Sequence, residues 1–305
     1  GKFFQPGVSY DATTGQATTV DGTSVSPKWV ISTRFESPVI DTKNPKYDEL
    51  YTANNNQITG TYGWQTTLTE ETILDSPDTD TPTGIAIDTE NSVLYYSNSG
   101  ASNIKRSNLD GTNDVILFSA TARGIALDLS EKQIYLCEST TIPNRIQVAN
   151  MEIGAIPTTL ISSDEFTTEL RSLAVDSPGQ KIYWTSIVTD PSSLSVVARS
   201  NLDGTDPELI YTQGTSGLRG IVLDIPAGKI YFTDESADTI SRINMEIPAG
   251  DAPGSRSDIE VMQSGLDEPD EIDINQDGSY IYWGEVGATN SILRAPTTPL
   301  SMVQV

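Results

Sequence analysis

The sequence predicts an all-β chain, a six-bladed β-propeller built from four-stranded antiparallel blades. Three observations predict it. A short apolar strand ending in Asp or Asn recurs at spacings of 40 to 51 residues, at Asp41, Asp88, Asp128, Asp176, Asp224 and Asn275. After a turn of about five residues, each copy continues into a strand rich in Tyr and Trp. No long stretch carries a sustained 3.6-residue apolar period, so helices are not expected. A repeat of this length, with strands in place of helices, is a propeller-blade period.

The clearest first and second strands are Gly84–Asp88 with Leu94–Tyr96, and Gly124–Asp128 with Ile134–Leu136. Next come Ser172–Asp176 with Ile182–Trp184, Gly220–Asp224 with Ile230–Phe232, and Glu271–Asn275 with Ile281–Trp283. A weaker first copy has Val39–Asp41 and then Glu49–Tyr51. Third strands are expected at Ile104–Ser107, Ile146–Ala149, Val196–Ser200, Ile240–Ile243 and Ile292–Ala295. Shorter fourth strands are expected at Val115–Phe118, Thr159–Ile161, Glu208–Tyr211, Ile259–Met262 and Met302–Val305. Asp110-Gly111 and Asp203-Gly204 supply the positive-φ turns between third and fourth strands. A lone blade cannot bury both its faces, but a ring of stacked blades can, and closure protects the strand edges.

Two segments follow from this register. Residues 38–305 form the propeller, and residues 1–37 form an extension packed along the ring. The N-terminal Gly-Lys-Phe-Phe, without a methionine, is what a chain trimmed at its start, or excised from a longer protein, is expected to show. The single cysteine, Cys137, falls in a strand and reads as a buried, inert thiol, with no internal disulfide available. Eighteen Lys and Arg against 42 Asp and Glu give a formal charge of -24. That balance argues against a nucleic-acid partner and against an anionic membrane surface. No run of 18 apolar residues is present, so no membrane insertion is expected.

Tyr183-Trp184-Thr185 and Tyr231-Phe232-Thr233-Asp234 resemble the signature of the low-density-lipoprotein-receptor class B repeats, the YWTD propellers. Arg199-Ser200-Asn201-Leu202-Asp203-Gly204 and Arg106-Ser107-Asn108-Leu109-Asp110-Gly111 resemble the companion segment of that repeat. The similarity runs over about residues 38–305. It implies that acids of the second strand and arginines of the third knit neighbouring blades. By position these are Glu138, Asp234 and Glu285, with Asn98 and Ser186 as polar counterparts, and Arg106, Arg199, Arg242 and Arg294. The resemblance also implies extracellular ligand recognition, often of other proteins. The disulfide-rich modules that usually flank such propellers are absent from this sequence.

The chain contains no histidine, which excludes imidazole bases, His-based triads and His-ligated metals. Carboxylate chemistry, an oxygen-ligated ion or pure binding remain. Calcium is the one candidate cofactor: Asp273, Asn275 and Asp277, followed by Gly278, alternate oxygen-bearing side chains as a calcium loop does. The same stretch also fits an ordinary turn between first and second strands. Arg123, Arg171 and Arg219 each stand just before or at the start of a first strand, and Asp270 holds that place in the last copy. Equivalent positions in consecutive blades fall on one ring, so these residues are expected at the channel mouth, where they can hold an anionic group. The alternative there is that each arginine pairs with a neighbouring acid and stabilises the rim. These lines lead to a non-catalytic, monomeric, extracellular or cell-surface binding or adhesion propeller that recognises a protein or small anionic ligand at the channel mouth. The alternative function is a calcium-dependent, lactonase-like hydrolase or lyase with a carboxylate-ligated metal in the central channel.

Overall fold

The computed structural model describes residues 8–11, 16–21, 30–34, 49–54, 57–62, 69–75, 82–138, 144–162, 169–188, 194–214, 217–275, 277–287 and 291–298, with side chains mainly from residue 82 onward. All regular elements among them are strands. None of the described residues forms a helix long and apolar enough to cross a membrane.

The N-terminal strands are β1 (Val8–Asp11), β2 (Gln16–Asp21) and β3 (Val30–Arg34). Then come β4 (Glu49–Asn54), β5 (Gln57–Tyr62) and β6 (Thr69–Asp75). Four consecutive meanders follow. The first is β7 (Pro82–Asp88), β8 (Val93–Asn98), β9 (Asn103–Asn108) and β10 (Val115–Ser119). The second is β11 (Gly124–Asp128), β12 (Gln133–Glu138), β13 (Arg145–Asn150) and β14 (Thr158–Ser162). The third is β15 (Glu169–Asp176), β16 (Lys181–Val188), β17 (Leu194–Asn201) and β18 (Glu208–Gln213). The fourth is β19 (Leu218–Asp224), β20 (Lys229–Asp234), β21 (Thr239–Asn244) and β22 (Glu260–Ser264). The chain ends in β23 (Pro269–Ile274), β24 (Tyr280–Glu285) and β25 (Ser291–Pro296).

Each meander is one antiparallel blade, and the first strands β7, β11, β15, β19 and β23 lie side by side at the centre. The prediction of six equivalent four-stranded blades is corrected here. Among the described residues, side-chain packing is described for five blades, four of four strands and one, β23–β25, with three strands of its own. The β1–β2 hairpin adds to the outer edge of that blade, pairing Val20 with Ile292 and Asp21 with Ser291. The sequence contains no copy of the repeat at β1–β2, so this strand addition could not be counted from the period. The expected fourth strand at Met302–Val305 lies outside the described residues, as does Val39–Asp41. The strand that pairs with β4 is β3, and β3–β6 form a sheet described chiefly as backbone, between β7 and β23.

Period-2 alternation and Asp-capped turns explain the blades locally. Asp88, Asp128, Asp176 and Asp224 end the first strands and accept backbone N–H bonds from Asn91, Ser130, Gly179 and Ala227, respectively. Asp110 and Asp203 cap the next tight turns by accepting from Thr112 and Thr205, and Gly111 and Gly204 take positive φ there. The core lies between blades. Tyr183, Trp184, Tyr231, Phe232, Tyr282 and Trp283, all from second strands, are essentially inaccessible. Burying each such ring stabilises the blade stack by roughly 1.5–3 kcal/mol.

Candidate functional site

The mouth of the channel is built by a repeated irregularity in the inner strands. The β15–β16 register slips between Leu170 and Ser172, at Arg171. The β19–β20 register slips between Leu218 and Ile221, and the β23–β24 register between Pro269 and Ile272. In β7 the same slip falls between Pro82 and Ile85. A bulge re-aims the side chain of the extra residue. It places Arg171, Arg219 and Asp270 at one level of neighbouring blades, and Arg123, just ahead of β11, completes the row.

The bulges are held by a set of second-strand side chains absent from the sequence-based site. Thr185 Oγ1 accepts from Ser172 N and donates to the Arg219 carbonyl of the next blade. Thr233 Oγ1 accepts from Gly220 N and donates to the Asp270 carbonyl. Cys137 does the same with a thiol, accepting from Gly124 N at 3.2 Å and donating to the Arg171 carbonyl at 3.6 Å. Complete burial pushes the thiol pKa up to about 12, so this cysteine is inert. The repeat of hydroxyl or thiol at the fourth place of Leu94–Asn98 and its counterparts was the available signal. Gly220 is needed here: a Cβ would lie 2.7 Å from Ile272 N and 2.8 Å from the Asp270 carbonyl oxygen.

The three arginines differ in their partners. Arg219 makes a two-pronged contact with Glu235, and Arg171 pairs with Glu169. Arg123 has no carboxylate within salt-bridge distance among the described residues. The Nε of Arg171 is buried without a hydrogen-bond acceptor. Burial, followed by the neighbouring charges of Arg123 and Arg219, lowers the Arg171 pKa to about 10. The positive groups therefore crowd one another.

Beside them stands an acid the sequence reading passed over. Glu271 is buried, and its Oε2 accepts from Ser172 Oγ at 2.8 Å. Ser172 belongs to the blade two places away, so this bond crosses the channel over β19. Burial first, and then Asp270, pushes the Glu271 pKa well above the usual carboxylate range, which favours its protonated form. The corresponding positions in other blades are Gly84, Gly124, Ser172 and Gly220. A lone charged residue in a column of glycine and serine was the sequence signal for it.

The arginines and acids implied by the resemblance occupy two different levels. Arg199 reaches the following blade, donating to the Met245 carbonyl at 3.1 Å and to both Glu246 oxygens at 2.6 and 3.0 Å. Arg242 likewise donates to the Thr297 carbonyl and to Tyr231 Oη, each at 3.0 Å. Arg106 stands opposite Tyr95 across the β8–β9 pair, and Arg294 lies over the Tyr280 ring at 5.0 Å. The acids sit farther along, at the end of the second strand. Asp234 accepts from Ser236 and Ala237 N–H groups and from Gln213 Nε2 of the preceding blade. Glu138 pairs with Arg145 and accepts from Thr121, and Glu285 accepts from Trp283 Nε1. Register explains the separation: Asp234 pairs with Thr239 at the hairpin end, whereas Arg242 pairs with Tyr231.

The calcium expectation is corrected. Asp273 Oδ1 accepts from Ile274 N, Asn275 Oδ1 from Tyr280 N, and Asp277 Oδ1 from Ser279 N. These oxygens hold the β23–β24 turn together. No group of three or more metal-ligating Asp, Glu, Cys or His side chains converges among the described residues.

No family model and no curated protein matches the chain. Solved structures do. A chain of a nidogen/laminin complex is 20% identical with a TM-score of 0.66, covering 78% of this chain and 85% of that one. A chain of the Kuenenia stuttgartiensis hydrazine synthase is 13% identical, TM-score 0.58, covering 82% and 81%. A gluconolactonase from Xanthomonas campestris is 12% identical, TM-score 0.64, covering 95% and 94%. The specific YWTD assignment is thereby corrected: likeness spread over three such different proteins, all at low identity, shows the β-propeller fold and no particular family.

Proposed function

We propose that this propeller is a binding module that holds an anionic group, in the first place a carboxylate, at its channel mouth. The observation that carries the reading is the row of Arg123, Arg171 and Arg219 on consecutive inner strands. Arg123 has no carboxylate partner among the described residues, and Arg171 Nε has no acceptor. Glu169 and Glu235 hold two of the guanidinium groups in place without neutralising the third. A carboxylate bridging Arg123 and Arg171 would gain charge-assisted bonds and relieve the repulsion between them. The carboxylate belongs to a small molecule or to an acidic side chain of a partner protein, and one of the similar propellers does sit in a protein complex, that of nidogen and laminin. The expected extracellular or cell-surface setting belongs to the same proposal.

The test is calorimetric titration with citrate and with a short oligo-glutamate peptide at low salt. Arg123→Ala is expected to weaken binding by about 1.5–3 kcal/mol, roughly ten- to a hundredfold. Arg123→Lys should recover part of it, and thermal stability should stay nearly constant. Absence of saturable binding to the unmodified protein, or equal affinity in Arg123→Ala, overturns the reading.

A further inference from the structure

Past the arginine row, the inner strands enclose a cavity of ≈ 220 Å³ along the axis. Its walls come from all five described first strands. Among the described residues, apart from Gly124, the lining is aliphatic, Leu173, Ala126 and Ala174 among it, with three polar side chains: Ser172, Glu271 and Asp273. Ser172 and Glu271 close the end nearest the mouth. The far end reaches Ile225 in the turn after β19, a residue 37% exposed. From the level of Ser172 to that of Val175 the depth is about 10 Å, at roughly 3.3 Å per strand residue.

We propose that this cavity is a second binding site, independent of the arginine mouth, for a short uncharged aliphatic molecule with a terminal hydroxyl. Its head meets Glu271 and Ser172, and its chain runs down the aliphatic channel. Glu271 Oε2 takes the Ser172 hydroxyl, and Oε1 has no partner among the described residues. Burial and the neighbouring Asp270 favour the protonated form of this carboxyl, which offers a hydrogen bond without a charge. An organic cation entering head-first would meet Arg123, Arg171 and Arg219 beyond Glu271. An organic anion would leave water for an aliphatic wall that also carries Asp273. A neutral hydroxyl head escapes both penalties and needs only one or two bonds, while the chain supplies the affinity.

The test uses the full chain, labelled at Ile, Leu and Val methyl groups, titrated at pH 6.5 with butan-1-ol, pentan-1-ol, hexan-1-ol and octan-1-ol. Shifts are expected at Leu173, Ile125 and Ile221. Affinity is expected to rise about threefold to fourfold per methylene up to the length of the channel and then level off. Hexan-1-ol should bind at least tenfold better than hexanoate or hexylammonium. Saturating citrate should leave its affinity unchanged, which separates this site from the mouth. Ala174→Leu should lower hexan-1-ol affinity at least tenfold; if that variant does not fold, the chain-length series on the unmodified protein decides alone. Preference for hexanoate with competition by citrate would assign the binding to the mouth and overturn the cavity proposal. Preference for hexylammonium, no dependence on chain length, or no shifts at the channel methyls would each overturn it as well.

Discussion

Glu271 binds its proton more tightly in the folded chain than in the unfolded one. Its pKa rises from an ordinary 4.5 to about 8, because burial and Asp270 disfavour the carboxylate. Between those values the native state holds the proton that the unfolded state has released. Stability therefore falls as pH rises from about 4.5 to about 8, the reverse of a salt-bridged acid. The loss is on the order of a few kcal/mol across that window. Glu271→Gln should flatten this part of the stability profile and stabilise the protein at pH 8, as read by urea denaturation at several pH values. An unchanged slope would mean that Glu271 is ionised in the fold. Arg256 makes a second residue-scale case. It is buried, with a two-pronged pair to Asp258 and bonds to the carbonyls of Ile210, Asn244 and Glu246. Arg256→Ala strands those acceptors and should cost about 3 kcal/mol in chemical denaturation.

Blades are joined at the axis by one repeated device, a hydroxyl or thiol that accepts from its own bulge and donates to the bulge of the next blade. Thr233 is its clearest instance, between Gly220 N and the Asp270 carbonyl. Thr233→Val keeps the shape and leaves both buried groups unmatched, so a loss of about 1–3 kcal/mol is expected in thermal or urea unfolding. Cys137→Ser keeps donor and acceptor and should cost less than about 1 kcal/mol, at a site thiol reagents do not reach in the native state. Equal losses in the two variants would show that the bulges hold without these bonds. The third-strand arginines serve the outer part of the same seam, where Arg199 and Arg242 lock onto carbonyls of the following blade.

Over the whole molecule, the β1–β2 hairpin lies on β25 and covers an edge that would otherwise expose unpaired backbone groups. Deleting residues 1–21 should lower the denaturation midpoint and promote self-association, measured by light scattering. Unchanged stability and a monodisperse product would show that the hairpin contributes nothing to closing the last blade. The formal charge of -24 adds self-repulsion across the surface, and the arginine row gathers three positive groups within that acidic molecule.

From β7 to β25, strand identity and register were determined by the sequence itself. Tyr-rich second strands, Asp-ended first strands and Asp-Gly turns act over a few residues, through alternation and turn chemistry, and they repeat. For the same reason the equivalence of Arg123, Arg171, Arg219 and Asp270 could be read from spacing alone. The tertiary structure decided what no local rule contains. The outer strands on the last blade come from the N-terminal hairpin, because sheet edges are satisfied by whichever strand closes them in space. Asp273, Asn275 and Asp277 close a turn because backbone N–H groups reach them first. Glu271 acquires its proton and its bond to Ser172 only because two strands 99 residues apart face each other across an apolar channel. Burial and charge proximity belong to the closed ring, and the order of residues along the chain does not express them.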